Sequence, residues 1–352
     1  MKILTTGVFV LAAIALAGLL WIGREIPVKA VVPPPDTLAV FDNPAFGLPD
    51  GWQWDEFVTP AGKIRWGRTD PEAPKGTVFF LTGLSAPLEV YFESFSRFRD
   101  EGYSVIAMDW PGQGGSSRGS QHPTKIHAVS LDGHVEAAAM LSAAVIEPGA
   151  SNFLVGLSMG AQLGARVAAE SPDRFDAAAL ITPAFAIYGG RPTATDRFVL
   201  TALRRMGLGQ RFAPGSRDWQ FEMDVYNLEA SDCSHPNPRT QIWQASMVRD
   251  PSIKVGGMTS AFILALADSA DIAHSDAVLS QLTMPIWMPV ASADVFVDNA
   301  VAEEACSMLA DCQPQTYEGA KHCLFEESDA FYQPFMNDLV GFLNAQLAVT
   351  AQ

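Results

Sequence analysis

Phe153-Leu154-Val155-Gly156-Leu157-Ser158-Met159-Gly160-Ala161-Gln162-Leu163-Gly164-Ala165 is the stretch that decides the fold. Three apolar residues with strand character run into Gly-x-Ser-x-Gly, and the motif opens a run of small residues with helical character. A serine in that setting occupies a sharp strand-to-helix turn, where small neighbours let the chain pass without clashing. It also lies at a helix N-terminus, whose dipole favours negative charge developing nearby. The pentapeptide alone is weak: with 28 glycines in 352 residues, chance supplies it in roughly one chain in six of this length. The strand before it and the helix after it make Ser158 a candidate nucleophile rather than a turn serine.

On both sides of this stretch, short apolar runs alternate with longer helical patterns. The runs cover 77–81, 104–108, 153–155, 178–181 and 285–290, with a last strand candidate over 313–317. Helix candidates lie near 89–101, 131–145, 158–170 and 300–309. Such alternation predicts an α/β fold, a mostly parallel sheet flanked by helices on both faces. In open parallel sheets the ligand sits at the carboxyl ends of the strands, so residues that follow strands are where chemistry is sought. The core is expected over 51–187 and 277–348, interrupted by a helical cap over 188–276. That cap holds Trp219, Phe221, Tyr226, Trp243, Met247, Met258 and Phe262. Most of these are expected to form the cap's own small core, and a minority to line an acyl pocket.

A serine elbow of this kind is followed along the chain by an acid and then a histidine. Asp294 comes just after the apolar run that ends at Val290, where an acid can orient an imidazole. Asp298 is the nearby competitor, but it lies beyond a further apolar run and suits the cap of the next helix. His322 is the only histidine C-terminal to Asp294, and it is the candidate general base. Acyl transfer also needs donors for an oxyanion: the amide after the nucleophile, Met159, and one from the loop after an earlier strand, Leu84. Gly83 permits the tight turn before Leu84. The glycine-rich run from Asp109 to Ser116 reads as a structural turn, since no Gly-Lys-Ser or Gly-Lys-Thr accompanies it. Cysteines and histidines are not at zinc-ligand spacing, and no cofactor is implied.

Composition narrows the function classes. With 23 basic against 39 acidic residues the net charge is −16, which repels a phosphate backbone and argues against nucleic acid as a partner. Residues 1–30 stand apart, because 3–22 is an uncharged apolar segment that follows Lys2 and ends before Arg24-Glu25. It is long enough to anchor the chain in a membrane, with Trp21 at the interface. Ala15-Leu16-Ala17 also fits the cleavage site of an export signal, which would release the body outside the cytoplasm. Residues 31–50 are expected to be a linker, with Val31-Val32-Pro33-Pro34-Pro35 as a stiff spacer. Four cysteines, at 233, 306, 312 and 323, could pair in an oxidising compartment or remain buried thiols. Cys306 and Cys312 are close enough to pair locally, leaving Cys233 with Cys323, one of three possible connectivities.

Several further stretches carry a family resemblance. They are Thr82-Gly83-Leu84 with Tyr91-Phe92-Glu93, the Asp109 to Ser116 turn, the elbow around Ser158, Ile181-Thr182-Pro183-Ala184-Phe185, Val255-Gly256-Gly257-Met258-Thr259, and the loops holding Asp294 and Lys321-His322. Over about 52–343 the chain resembles the monoacylglycerol lipase and bacterial lysophospholipase branch of the α/β-hydrolases, the serine aminopeptidase-like hydrolases. The resemblance implies an α/β-hydrolase fold with an inserted cap, and a triad of Ser158, Asp294 and His322. It places the oxyanion donors on Leu84 and Met159. It also implies hydrolysis of carboxylic esters of small lipid-like substrates, such as monoacylglycerols or lysophospholipids. The chain departs from that branch at Thr82, Pro111, Leu157 and Ala161, where histidine or glutamine, arginine, histidine and glycine are common. A prolyl aminopeptidase-like or small-ester hydrolase is the nearest alternative; Glu222, Asp224 and Glu229 of the cap would then hold a substrate amine. A non-catalytic, membrane-tethered binding protein is the alternative from another class, and an intact triad argues against it.

Overall fold

The apolar runs assemble into one eight-stranded sheet in the computed structural model, which describes residues 31–187, 193–221 and 231–350. In chain order the strands are β1 (Gln53–Thr59), β2 (Gly62–Thr69), β3 (Gly76–Leu81), β4 (Tyr103–Met108), β5 (Asn152–Leu157), β6 (Ala177–Ile181), β7 (Ile286–Ala291) and β8 (Cys312–Tyr317). They lie side by side as β1-β2-β4-β3-β5-β6-β7-β8. The β1/β2 and β2/β4 pairs are antiparallel, and every pair from β4 to β8 is parallel. Strands β4, β5, β6 and β7 are buried throughout, because helices cover both faces and leave no side for water. That is why they read as continuous apolar runs rather than as alternating patterns.

The helices are α1 (Phe92–Asp100), α2 (Asp132–Val145), α3 (Met159–Glu170), α4 (Ala194–Arg205), α5 (Arg239–Arg249), α6 (Ser260–Ala273), α7 (Asp276–Leu279), α8 (Asn299–Met308) and α9 (Asp329–Thr350). The expected cap span, 188–276, falls between β6 and β7 and supplies α4, α5 and α6. Its residues 188–192 and 222–230 lie outside the described residues, and with them Tyr226, Glu222, Asp224 and Glu229. The cap's apolar side chains do not form a small core of their own. Trp243, Met247 and Phe262 belong to the same buried cluster as the sheet, with Trp219 and Met258 packed against it. The reason is that α5 and α6 rest directly on the core. Gln162 of α3 donates to the Leu266 carbonyl of α6 at 3.2 Å, and Arg166 reaches Ser269 at 2.8 Å. Arg239 ties α5 to Glu93 of α1, to the Glu327 carbonyl and to Asp329 of α9.

The expected linker, 31–50, is only partly a spacer. Two short 3-10 turns, Thr37–Asp42 and Pro44–Phe46, bring Val40 and Phe46 against Ile242 and Ala245 of α5. The expected anchor or signal, 1–30, lies outside the described residues. Among the described residues no helix is long and apolar enough to cross a membrane. The cysteines pair as Cys233–Cys323 and Cys306–Cys312. The first joins the cap segment to the residue after His322, and the second joins α8 to the start of β8.

Candidate active site

Ser158 sits between β5 and α3 at φ 56° and ψ −116°, a backbone region that side chains other than glycine rarely occupy. Its surroundings hold it there. The Ser158 N–H donates to the Ile181 carbonyl at 2.9 Å, and the Ser158 carbonyl accepts from Gln162 and Ala184. The flanking glycines are set by close approach: a Cβ on Gly160 would collide with the Leu81 and Thr82 carbonyls, and one on Gly156 with the Gly160 carbonyl. The spacing Gly-x-Ser-x-Gly is therefore what this crossing of strand and helix requires.

Asp294 follows β7 and is buried. One of its oxygens accepts from the Phe296 and Val297 amides at 2.7 and 3.1 Å. The other lies 2.6 Å from Nδ1 of His322. With the carboxylate acting as acceptor, the imidazole carries its proton on Nδ1 and keeps Nε2 free as a base. The His322 carbonyl accepts from the Thr182 hydroxyl at 3.3 Å, and the Phe296 ring stands 5.3 Å from the imidazole. Asp298 is not part of this pair. It caps α8 by accepting from the Ala300 amide at 3.1 Å.

Leu84 and Met159 line the same cavity as Ser158 and His322. Among the described residues neither amide is given to a protein acceptor, which leaves both available to an oxyanion. The loop that presents Leu84 is fixed from three sides. The Gly83 N–H donates to the Tyr91 hydroxyl at 3.3 Å, the Ser85 N–H to Gln113 Oε1 at 2.6 Å, and Trp243 Nε1 to the Ser85 carbonyl at 3.0 Å. Gln113 belongs to the glycine turn after β4. In that turn buried Asp109 accepts from the Leu88 and Gly115 amides and pairs with Arg65, which in turn grips Glu89. The turn is structural, as its sequence indicates, and what it supports is the loop of Leu84.

The cavity measures about 450 Å³. Of the cap's large side chains among the described residues, a minority line it: Trp243 and Met258 do, while Trp219, Phe221, Met247 and Phe262 do not. Trp219 instead packs beneath the Lys254 ammonium. Tyr91, Arg217 and Glu326 also face the cavity, and none of them was singled out for such a place from sequence. Tyr91 could have been found from its position after the oxyanion loop. Glu326 could not, since a Glu-Glu pair at 326–327 gives no sign of which one turns inward. Among the described residues the one cluster of three potential metal ligands is Cys233, Cys323 and Glu326, and its sulfurs are joined to each other, so no thiolate is left for an ion.

Comparison with known proteins bears on this geometry. The profile of a family described as serine aminopeptidase, S33, matches residues 72–329. The chain is 24% identical over 276 residues to the probable lysophospholipase L2 of Haemophilus influenzae, spanning 78% of this chain and 85% of that one. It is 25% identical to the lysophospholipase L2 of Escherichia coli, over 69% of this chain and 73% of that one. Among solved structures, a soluble variant of the monoglyceride lipase of Saccharomyces cerevisiae superposes with a TM-score of 0.65. That likeness covers 92% of this chain and 99% of that one at 15% identity, and it shows a shared α/β-hydrolase fold.

Proposed function

Because the chain belongs to the serine aminopeptidase, S33, family of hydrolases, we propose that it cleaves carboxylic esters of single-chain lipids through an acyl-enzyme. The observation that carries this reading is the buried Asp294–His322 pair and the strained Ser158 on one largely apolar cavity. In the proposed sequence His322 Nε2 takes the proton of the Ser158 hydroxyl as its oxygen attacks the ester carbonyl. The Leu84 and Met159 amides hold the oxyanion that forms. His322 then protonates the departing alcohol, and water returns along the same path to release the acid. Asp294 stabilises the imidazolium without taking up its proton. The lysophospholipase names of the relatives support an acyl substrate, and the apolar cavity supports a hydrocarbon chain over a charged one.

A panel of p-nitrophenyl esters, monoacylglycerols, lysophospholipids and aminoacyl p-nitroanilides tests the reading. Burial of each acyl CH₂ is worth up to about 0.8 kcal/mol, so kcat/KM is expected to rise from acetate toward medium chains until the cavity is full. Trp243→Ala should flatten that rise. A chain that prefers acetate, or an aminoacyl anilide over every ester, would be a small-ester hydrolase or an aminopeptidase instead. The two disulfides further support a working place in an oxidising compartment.

A further inference from the structure

Glu326 is the one acidic side chain among the described residues that line the cavity. It follows His322 by four positions, in the 3-10 turn Leu324–Glu326, and its residue exposure is only 2%. Its backbone is committed: the N–H donates to the Cys323 carbonyl at 2.7 Å and the carbonyl accepts from Asn237 at 2.9 Å. Its side chain is not. Oε2 is buried without a hydrogen-bond partner, and the carboxyl lies beside the Cys233–Cys323 sulfurs, which are weak acceptors. The neighbouring Glu327 is fully used in contrast, accepting from the Lys321 and Ser328 amides and meeting His235. Leaving a buried polar group unpaired costs about 1–3 kcal/mol, so one that faces a binding cavity calls for a partner that arrives with the ligand.

We propose that Glu326 is a specificity-determining residue that hydrogen bonds an uncharged, hydroxyl-bearing part of the substrate. The inference rests on the ester-hydrolase reading and adds to it the class of alcohol: a polyol such as glycerol rather than a bare alkyl or anionic head. Burial pushes the Glu326 carboxyl up to about 8, so at neutral pH it is a neutral acid. A neutral carboxyl both donates and accepts, which matches a hydroxyl, itself a donor and an acceptor. The other titratable side chains facing the cavity are Tyr91, Arg217 and His322, and among the described residues no ion pair joins Arg217 or His322 to Glu326. Charge is thus not what Glu326 offers. A bare alkyl would leave both the carboxyl's donor and its acceptor unused, phosphate oxygens would leave the acceptor unused, and a cationic head would meet a neutral group.

The test compares 1-lauroylglycerol with ethyl laurate, which share an acyl chain and differ in the hydroxyls of the alcohol. It uses the full chain and the variants Glu326→Leu and Glu326→Gln, with ethyl laurate turnover in each showing that folded enzyme is present. One hydrogen bond between uncharged groups is worth about 0.5–1.5 kcal/mol. The ratio of kcat/KM for the glyceride to that for the ethyl ester should therefore fall about 2- to 13-fold in Glu326→Leu. It should be retained in Glu326→Gln, which keeps a donor and an acceptor. An unchanged ratio in Glu326→Leu overturns the inference while leaving the ester-hydrolase reading intact. An equal loss in Glu326→Gln also overturns it, because charge rather than hydrogen bonding would then be at work. Failure of the wild-type chain to hydrolyse either ester removes the reading and the inference together.

Discussion

Single residues in this molecule are placed at some cost to stability, and His134 shows the cost on the acid side. It lies on α2, buried between Trp110 and Phe262 with Nε2 unpartnered. Loss of hydration pushes its pKa down to about 4, against a smaller opposing effect of its hydrogen bond with the Pro111 backbone. The unfolded chain binds this proton near 6.5 and the folded chain does not until about 4. The contribution of a neutral His134 is thus complete above 6.5 and is lost as pH falls toward 4. At about 1.4 kcal/mol per unit, the loss amounts to roughly 3 kcal/mol. Urea unfolding at pH 7 and pH 4.5 should show the wild type losing more stability than His134→Gln. Parallel losses in the two proteins would mean that this histidine does not titrate as its burial requires.

Between the elements, the disulfides act on very different loops. Cys233–Cys323 closes a loop with a separation of 90 residues and Cys306–Cys312 one of 6. If the constraint acts on the unfolded chain, the long loop is worth about 4.6 kcal/mol and the short one about 2. Cys233→Ser should therefore lower Tm more than Cys306→Ser, and reductant should reproduce the larger effect. Equal shifts would point to native-state contacts as the cause. The long bridge also adjoins His322, so its loss should slow turnover as well. Which elements could be read beforehand follows from how they are buried. Strands β3 to β7 are apolar on both faces and were legible as runs. The β1–β2 hairpin was not, because β1 is an exposed edge strand carrying Asp55 and Glu56. Helix α9 was hidden by Pro334 within it, a residue that ordinarily signals a helix end, although Tyr332, Phe335, Met336, Leu339 and Leu343 are buried on one face.

Across the whole molecule, the site is where local and distant information meet. Ser158, Asp294, His322, Leu84 and Met159 could be named from sequence because each follows a strand whose end faces the cavity. The side chains that hold or complete the site could not. Gln113 reaches Ser85 across 28 positions. Glu326 turns inward only because its 3-10 turn follows the His322 loop. Such relations are set by packing and leave no periodic trace in the chain. The account as a whole rests on Ser158 acting as the nucleophile of an esterase. Its most direct measurement is covalent labelling with a fluorophosphonate probe, followed by peptide mapping of the adduct. Ser158 alone should be labelled, the rate should fall by several powers of ten in His322→Ala, and Ser158→Ala should not react; labelling of Ser158→Ala at the wild-type rate would contradict the account.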